Sequence, residues 1–235
     1  MAKEKEHRTH YEDIFIKITR KIEHFIIKYI KIIAISLSSV ALLLALYFTT
    51  DFMIRKKEQK AQGAFDKVYL IYREIAEESN DTDEEKNKEL IEVVDEFKSV
   101  MNDHQRSKAA AKSAFYTGKI LYDRGEYMEA TDYFERGSSI KSKHYISLLC
   151  LQRLASTYQQ LNEYEKAIEV YNRIENQFSD DYIVPTVIYN RGQLYEKTNR
   201  FEKAKDEYTR IITEFPWSSW KELAEKRQLL IKNFI

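Results

Sequence analysis

Three segments of the chain repeat one pattern of small and aromatic residues at an interval of 37 residues. Each segment starts at a small residue, Gly118, Ala155 or Gly192. The other shared positions are Leu121, Tyr158 and Tyr195; Tyr127, Tyr164 and Phe201; Ala130, Ala167 and Ala204; and Phe134, Tyr171 and Tyr208. The spacing predicts two antiparallel helices per segment, which approach closely at the small residue and turn near 124–126, 161–163 and 198–200. One such pair cannot bury its apolar face alone, so the pattern predicts a stack of pairs.

The composition points to the same fold class. The 235 residues include only 5 Gly and 2 Pro, whereas an all-β sandwich or barrel needs a turn signal every 8–12 residues or so. We therefore expect an all-α protein. Cys150 is the single cysteine, which excludes a disulfide within the chain and a cysteine-based zinc site.

The repeated pattern resembles the tetratricopeptide repeat family over residues 105–216. The resemblance implies an α-solenoid of helical hairpins whose first helices line a concave groove that binds other proteins. The family period is about 34 residues, so an interval of 37 implies three extra residues in each connection between repeats. The closing proline of the family pattern occurs only once, as Pro216.

The resemblance also implies which residues line the groove. Its groove positions correspond to Lys112, Phe115, Lys119, Tyr122 and Asp123; Leu149, Gln152, Ser156, Gln159 and Gln160; and Thr186, Tyr189, Gln193, Glu196 and Lys197. Exposed aromatic side chains at 115, 122 and 189 would suit the docking of a partner protein. The alternative is that neighbouring repeats bury these three rings, and the sequence alone favours neither.

The segments on either side of the repeats are also predicted to be helical. Residues 56–104 are interpreted as a degenerate helical pair, with helices from Lys56 to Glu78 and from Glu84 to Met101. Residues 217–235 are expected to form a capping helix over the open end of the stack, with Ser218 or Ser219 as its N-cap. Trp217 and Trp220 are either a second contact patch or part of the packing of this helix.

Residues 32–50 contain no charged side chain, and neither Gly nor Pro. As a helix they would span roughly 28 Å, close to the thickness of the hydrocarbon core of a bilayer. The alternatives are a buried core helix and a signal peptide, but the charged region before the run is 31 residues long. We expect a single transmembrane helix that anchors the chain in a membrane.

The charged tail, residues 1–31, includes a basic amphipathic stretch from Tyr11 to Ile30. This stretch would either lie at the membrane surface or simply extend the anchor. Five Lys or Arg residues lie within about 20 residues of the anchor on each side, so the positive-inside rule does not decide the orientation. Residues 1–50 nevertheless carry a net charge of +3 and residues 51–235 a net charge of −3, which favours a cytoplasmic tail.

No catalytic motif is recognisable. The sequence has no Gly-rich phosphate loop, no G-x-S-x-G and no H-E-x-x-H, and its five His residues are scattered. We therefore expect no enzymatic activity, no cofactor and no metal. The net charge of zero gives no support for nucleic-acid binding.

The order of tail, anchor and repeats resembles the YfgM-like family of ancillary Sec translocon subunits. That resemblance implies a single-pass protein of a bacterial inner membrane with a periplasmic repeat domain. It also implies partners in a membrane-embedded complex and among soluble periplasmic proteins, and a role in protein export or envelope assembly. The alternative is a fixed structural subunit of a larger envelope machine for secretion, cell division or flagellar motion.

Overall fold

The computed structural model describes residues 2–77, 83–140 and 144–234, and all its regular structure is helical. The expectation of an all-α fold is confirmed for these residues. The predicted helix end at Glu78 and the polar residues 79–82 lie outside them. The helices are α1 (Ala2–Glu77), α2 (Asp83–Asp103), α3 (Lys108–Asp123), α4 (Tyr127–Ile140), α5 (Tyr145–Gln160), α6 (Tyr164–Gln177), α7 (Val184–Lys197), α8 (Phe201–Glu214) and α9 (Trp220–Ile231), followed by a 3-10 turn (Lys232–Phe234).

The chain divides into two compact units between Lys56 and Lys57. The first unit is the N-terminal part of α1, which is one continuous helix where the sequence suggested separate helices at 32–50 and from Lys56. Continuity follows from composition, because the residues up to 62 include neither Gly nor Pro. Among the described residues, one helix is long and apolar enough to cross a membrane; its most apolar 18-residue window has a mean hydropathy of 1.7 and no buried residue.

The second unit contains three helical hairpins, α3–α4, α5–α6 and α7–α8. Each hairpin turns at a residue with a left-handed backbone, with φ of 81° at Gly125, 60° at Asn162 and 57° at Asn199. Gly and Asn adopt this conformation most readily, so they can end a helix in this way. The next amide donates to a carbonyl five residues earlier, as from Glu126 to Leu121 at 2.9 Å. The three turns lie 37 residues apart, where the repeat pattern predicts them.

The small residue of each repeat lies where its two helices touch. A Cβ atom on Gly118 would lie 2.8 Å from Cε1 of Phe134, and one on Gly192 would lie 2.8 Å from Cε1 of Tyr208. The middle repeat accommodates Ala155 opposite Tyr171, and both are buried. The aromatic ring of the second helix thus packs against the backbone of the first, which sets the distance between them.

Adjacent second helices are connected by arginines that the sequence analysis did not single out. Arg173 of α6 donates to both carboxylate oxygens of Glu135 in α4, at 2.7 and 2.9 Å. Arg210 of α8 donates to Glu175 in α6 at 2.6 Å, and Arg136 of α4 donates to a side chain of α2. These three arginines are at the nineteenth position of their segments. This regular spacing of arginines in the sequence could therefore have been used to predict the contacts between second helices.

The flanking helices complete the stack at both ends. Residues 57–77 of α1 pack with α2 and α3 around an aromatic cluster in which the Phe65 ring lies 5.8 Å from those of Phe97 and Tyr116. At the other end, Ser219 is the N-cap residue of α9 but makes no side-chain capping bond. The hydroxyl of Ser218 instead accepts a hydrogen bond from the amide of Trp220, at 3.2 Å.

Replacing Gly118 by Ala tests the contact that sets the helix spacing. We expect the free energy of unfolding to fall by about 1–3 kcal/mol, because the added methyl group overlaps a fully buried ring. Urea unfolding followed by circular dichroism measures this. The control is Gly63→Ala in α1, where the new methyl group meets no atom within 4 Å and helix propensity improves. Equal effects of the two changes would contradict the role given to Gly118.

Candidate binding surface on the first helices

The first helices of the repeats lie in a row, in which side chains of α5 and α7 share one core cluster. Helix α3 packs against α5, and α7 packs against α9. Helix α1 joins the row through Tyr69, whose ring lies 5.0 Å from that of Tyr116 in α3. Adjacent second helices are instead bridged by long side chains such as the Arg173–Glu135 pair. We refer to the surface formed by α1 from residue 57, α3, α5, α7 and α9 as the first-helix face.

Tyr189 belongs to the core of the third repeat rather than to a groove. Its ring is 7% exposed and lies 5.6 Å from Tyr208 and 4.5 Å from Trp220. The indole nitrogen of Trp220 donates to the hydroxyl of Thr186 at 2.8 Å, which holds α9 on α7. The alternative in which neighbouring elements bury this aromatic residue is therefore correct for Tyr189, and Trp220 belongs to the packing of the last helix.

Phe115 and Tyr122 are half-buried on α3. The Phe115 ring makes an edge contact with Tyr116 at 5.4 Å and lies 6.2 Å from Phe134. The Tyr122 ring meets Tyr127 edge-on at 5.1 Å. Both rings thus have packing partners within the second unit, and each retains part of its surface for solvent or a ligand.

Two predicted groove residues satisfy hydroxyl groups of the core. Gln159 donates to the Tyr171 hydroxyl at 3.1 Å. At the matching position of the next repeat, Glu196 accepts hydrogen bonds from the Tyr208 hydroxyl and from Arg227 of α9. Burial and the hydrogen bond to Glu196 raise the pKa of Tyr208 above its usual value. Because these polar groups already have partners, both residues stabilise the repeats.

The solvent-facing part of the first-helix face is a pair of positions, exposed or half-buried, that recurs once per repeat. The pairs are Lys112 and Lys119, Leu149 and Ser156, Thr186 and Gln193, and Leu223 and Leu230. Two residues seven apart lie on the same side of a helix. The first three pairs were expected from the sequence, with Gln152 half-buried beside the second. The fourth pair was missed, although it lies 37 residues after the third; Leu223 is 43% and Leu230 is 61% exposed.

The chemical character of the side chains therefore changes along the first-helix face. At its α3 end, Lys112 donates to Gln62 at 3.1 Å and lies 5.2 Å above the Phe65 ring. Lys119 donates to Asp123 at 2.6 Å. The middle of the face presents Leu149 together with hydroxyl and amide groups, and the α9 end presents two leucines. A ligand along this face would meet cationic and aromatic groups first and aliphatic groups last.

Charge also separates the two sets of repeat helices. Helices α3, α5 and α7 contain six Lys or Arg residues against two Asp or Glu, which gives a net charge of +4. Helices α4, α6 and α8 contain six against ten, which gives −4. The net charge of zero for the whole chain therefore conceals an excess of positive charge on the first helices and of negative charge on the second helices.

A buried ionic cluster fixes α7 within the row. Arg191 is 3% exposed and lies 2.7 Å from Glu175 of α6 and 2.7 Å from Glu207 of α8. Burial lowers the pKa of Arg191, but the two carboxylates outweigh burial and leave it raised. The sequence analysis missed this cluster because the matching positions hold Thr117 and Leu154.

The described residues contain no group of three or more His, Cys, Asp or Glu side chains that could hold a metal ion. The thiol of Cys150 is buried, and burial raises its pKa to about 12. A thiol with this pKa stays protonated at neutral pH, so Cys150 packs as a small apolar residue.

Comparison with known proteins agrees with this architecture. A family described as tetratricopeptide repeat-like domain matches residues 24–229. A crystal structure of a tetratricopeptide repeat protein from Parabacteroides merdae ATCC 43184 superposes with a TM-score of 0.51 at 20% identity, over 71% of this chain and 58% of that one. This chain thus corresponds to little more than half of that protein. MamA matches with a TM-score of 0.44 at 16% identity, over 56% of this chain and 72% of its own. No curated protein sequence matches significantly.

Replacing Glu175 by Gln tests the ionic cluster through pH. Burial raises the pKa of Glu175, but hydrogen bonds from Arg210 and Arg191 outweigh it and hold the pKa below its usual value. A carboxylate with a lowered folded-state pKa stabilises the fold above its unfolded pKa of about 4.3, and this contribution disappears as the pH falls further. The variant should be less stable than the parent at pH 7, and the difference should shrink below about pH 4. Urea unfolding across this range measures it, with exposed Glu169→Gln as the control; a difference independent of pH would contradict the assignment.

Proposed function

This chain belongs to the tetratricopeptide repeat-like domain family, and we propose that it is a membrane-anchored scaffold that binds other proteins through its first-helix face. The observation that carries the proposal is the row of repeat-matched positions that remain exposed or half-buried beside a packed core. Scaffolds of stacked repeats bind along such continuous surfaces. Protein binding also suits a face whose side chains change gradually in character from α3 to α9.

The chemistry of the face suggests its ligand. The lysines of α3 and the net positive charge of the first helices favour acidic residues at one end of a bound segment. Leu223 and Leu230 favour apolar residues at the other end, because burying them removes apolar surface from water. A partner segment with acidic residues at one end and apolar residues at the other would therefore bind along the face in one direction only.

The proposed anchor is the apolar segment 32–50. The matching family begins at residue 24 and so includes this segment together with the repeats, which supports the view that anchor and repeats act together. A tether of this kind raises the effective concentration of the repeats near partners in the same membrane. We propose a bacterial inner membrane, with the repeats on the periplasmic side.

The role that fits such a tethered scaffold is assistance in protein export or envelope assembly. The partners would be a membrane-embedded complex and soluble periplasmic proteins. A fixed subunit of a larger envelope machine is the second candidate. It is favoured by apolar side chains exposed outside the first-helix face, since Met128 on α4 is 61% and Trp217 is 70% exposed. A subunit held on several faces would cover them.

Photocrosslinking separates these two candidates. We expect a photoreactive amino acid at Gln193 or Leu230 to capture partner proteins in living cells, because both positions lie on the exposed first-helix face. Glu169, which is exposed on α6, serves as the control and should capture none if the protein is an adaptor. Capture from all three positions would favour the fixed subunit. Capture from Glu169 alone would refute the binding face, and Leu230→Glu should abolish the specific crosslink at Gln193.

Membrane topology can be read by labelling cysteines with a maleimide that does not cross the inner membrane. Cys150 is buried, so the parent chain should give little background. Ser179→Cys, at an exposed site between α6 and α7, should be labelled once the outer membrane is permeabilised. The control Lys17→Cys, in the tail, should be labelled only after lysis. The opposite pattern would place the repeats in the cytoplasm and contradict the export role.

A further inference from the structure

The helix before the anchor carries a continuous basic stripe. At about 100° per residue, its basic side chains fall within an arc of about 100° and extend for about 21 Å along the axis. All of them are exposed. They are Lys17, Arg20, Lys21, His24, Lys28 and Lys31. Glu23 is the single acidic residue between 16 and 31, and it lies about 110° away from the centre of the stripe.

Most of the remaining helix surface is apolar, although Thr19 and Glu23 also lie there. Its apolar side chains occupy an arc of roughly 200° around the stripe, and their exposed fractions run from 45% to 64%. They are Ile16, Ile18, Ile22, Phe25, Ile26, Ile27 and Ile30. Nothing within the described residues of the first unit covers them. Exposing this apolar surface to water is unfavourable. We therefore expect lipid or protein to cover it.

The width of the apolar arc indicates the kind of cover. A two-stranded coiled coil buries only a narrow seam, and it would leave Ile16, Ile27 and Ile30 in water. An arc of roughly 200° beside a basic stripe is typical of a helix at a lipid interface. The stripe ends at Lys31, where the uncharged segment 32–50 begins, so a helix that lies along the interface up to Lys31 must bend there before segment 32–50 crosses the bilayer.

We propose that residues 16–31 bind an anionic phospholipid surface, with the basic stripe on the lipid phosphates and the apolar arc at the boundary of the acyl chains. Clusters of Lys and Arg next to a membrane helix attract anionic lipids. On the other side of the apolar segment, Asp51 pairs with Arg55 at 2.7 Å, so charge there is partly neutralised. This inference rests on the anchor in the proposed function and adds a lipid preference.

The test measures which lipids surround the protein. The full chain is reconstituted in phosphatidylcholine vesicles that contain spin-labelled phosphatidylglycerol or spin-labelled phosphatidylcholine. Electron paramagnetic resonance gives the relative association constant of the two labelled lipids. We expect the parent chain to prefer phosphatidylglycerol at least threefold. Loss of three stripe charges in Lys17→Gln, Lys21→Gln and Lys28→Gln should reduce the preference to nearly one.

The matched control removes the same number of charges from the other side of the apolar segment. Lys56→Gln, Lys57→Gln and Lys60→Gln together should retain most of the preference. A parent chain without preference, or equal losses in the two triple variants, would overturn the proposal. Resistance to extraction with alkaline carbonate is measured on the same vesicles. A chain that is extracted refutes the anchor itself, whereas a retained chain without lipid preference refutes only the present inference.

A second measurement distinguishes lipid from a second copy of the chain. Nitroxide labels at Ile22→Cys and Ile27→Cys lie on opposite sides of the apolar arc. At a lipid interface both labels should collide with oxygen more often than with a water-soluble nickel complex. A coiled coil would shield Ile22 from both reagents and broaden its spectrum through the second label. That result would overturn the lipid assignment.

Discussion

The contact between an aromatic ring and the backbone of a small residue is the interaction on which the repeat domain depends. In the first and third repeats the ring of the second helix leaves no room for a Cβ atom on Gly118 or Gly192. This contact holds the two helices of a hairpin close together. The left-handed residue in each turn allows the connection between them to be short. With these two constraints repeated every 37 residues, the first helices form one row and the second helices form another.

The same aromatic residues connect the core to the surface. The hydroxyls of Tyr171 and Tyr208 reach Gln159 and Glu196 on the first helices. A polar residue at these positions therefore satisfies a buried hydroxyl group before it can meet a ligand. Positions about one turn away, such as Gln193, keep their side chains exposed. Core packing thus decides which groove positions remain available.

Much of the fold could be predicted because the signals are local and repeated. The helix pairs, their turns and the close approach at the small residue all follow from residues at constant spacing in three aligned segments. The arginines at 136, 173 and 210 share this periodicity and could have been found in the same way. Arg191 could not, since its ion pairs join α6, α7 and α8 at a position where the other repeats hold Thr117 and Leu154.

By itself, the sequence determined the helical class, the repeat period and the extent of the uncharged segment, because each depends on composition or on spacing along the chain. The tertiary structure decided which side chains of the first-helix face remain exposed. Tyr189 occupies a predicted groove position, yet α9 covers it with Trp220. Leu223 and Leu230 lie outside the aligned repeats, yet α9 adds them to the row. Exposure depends on what packs above a residue, and that partner can lie more than 30 positions away in the chain.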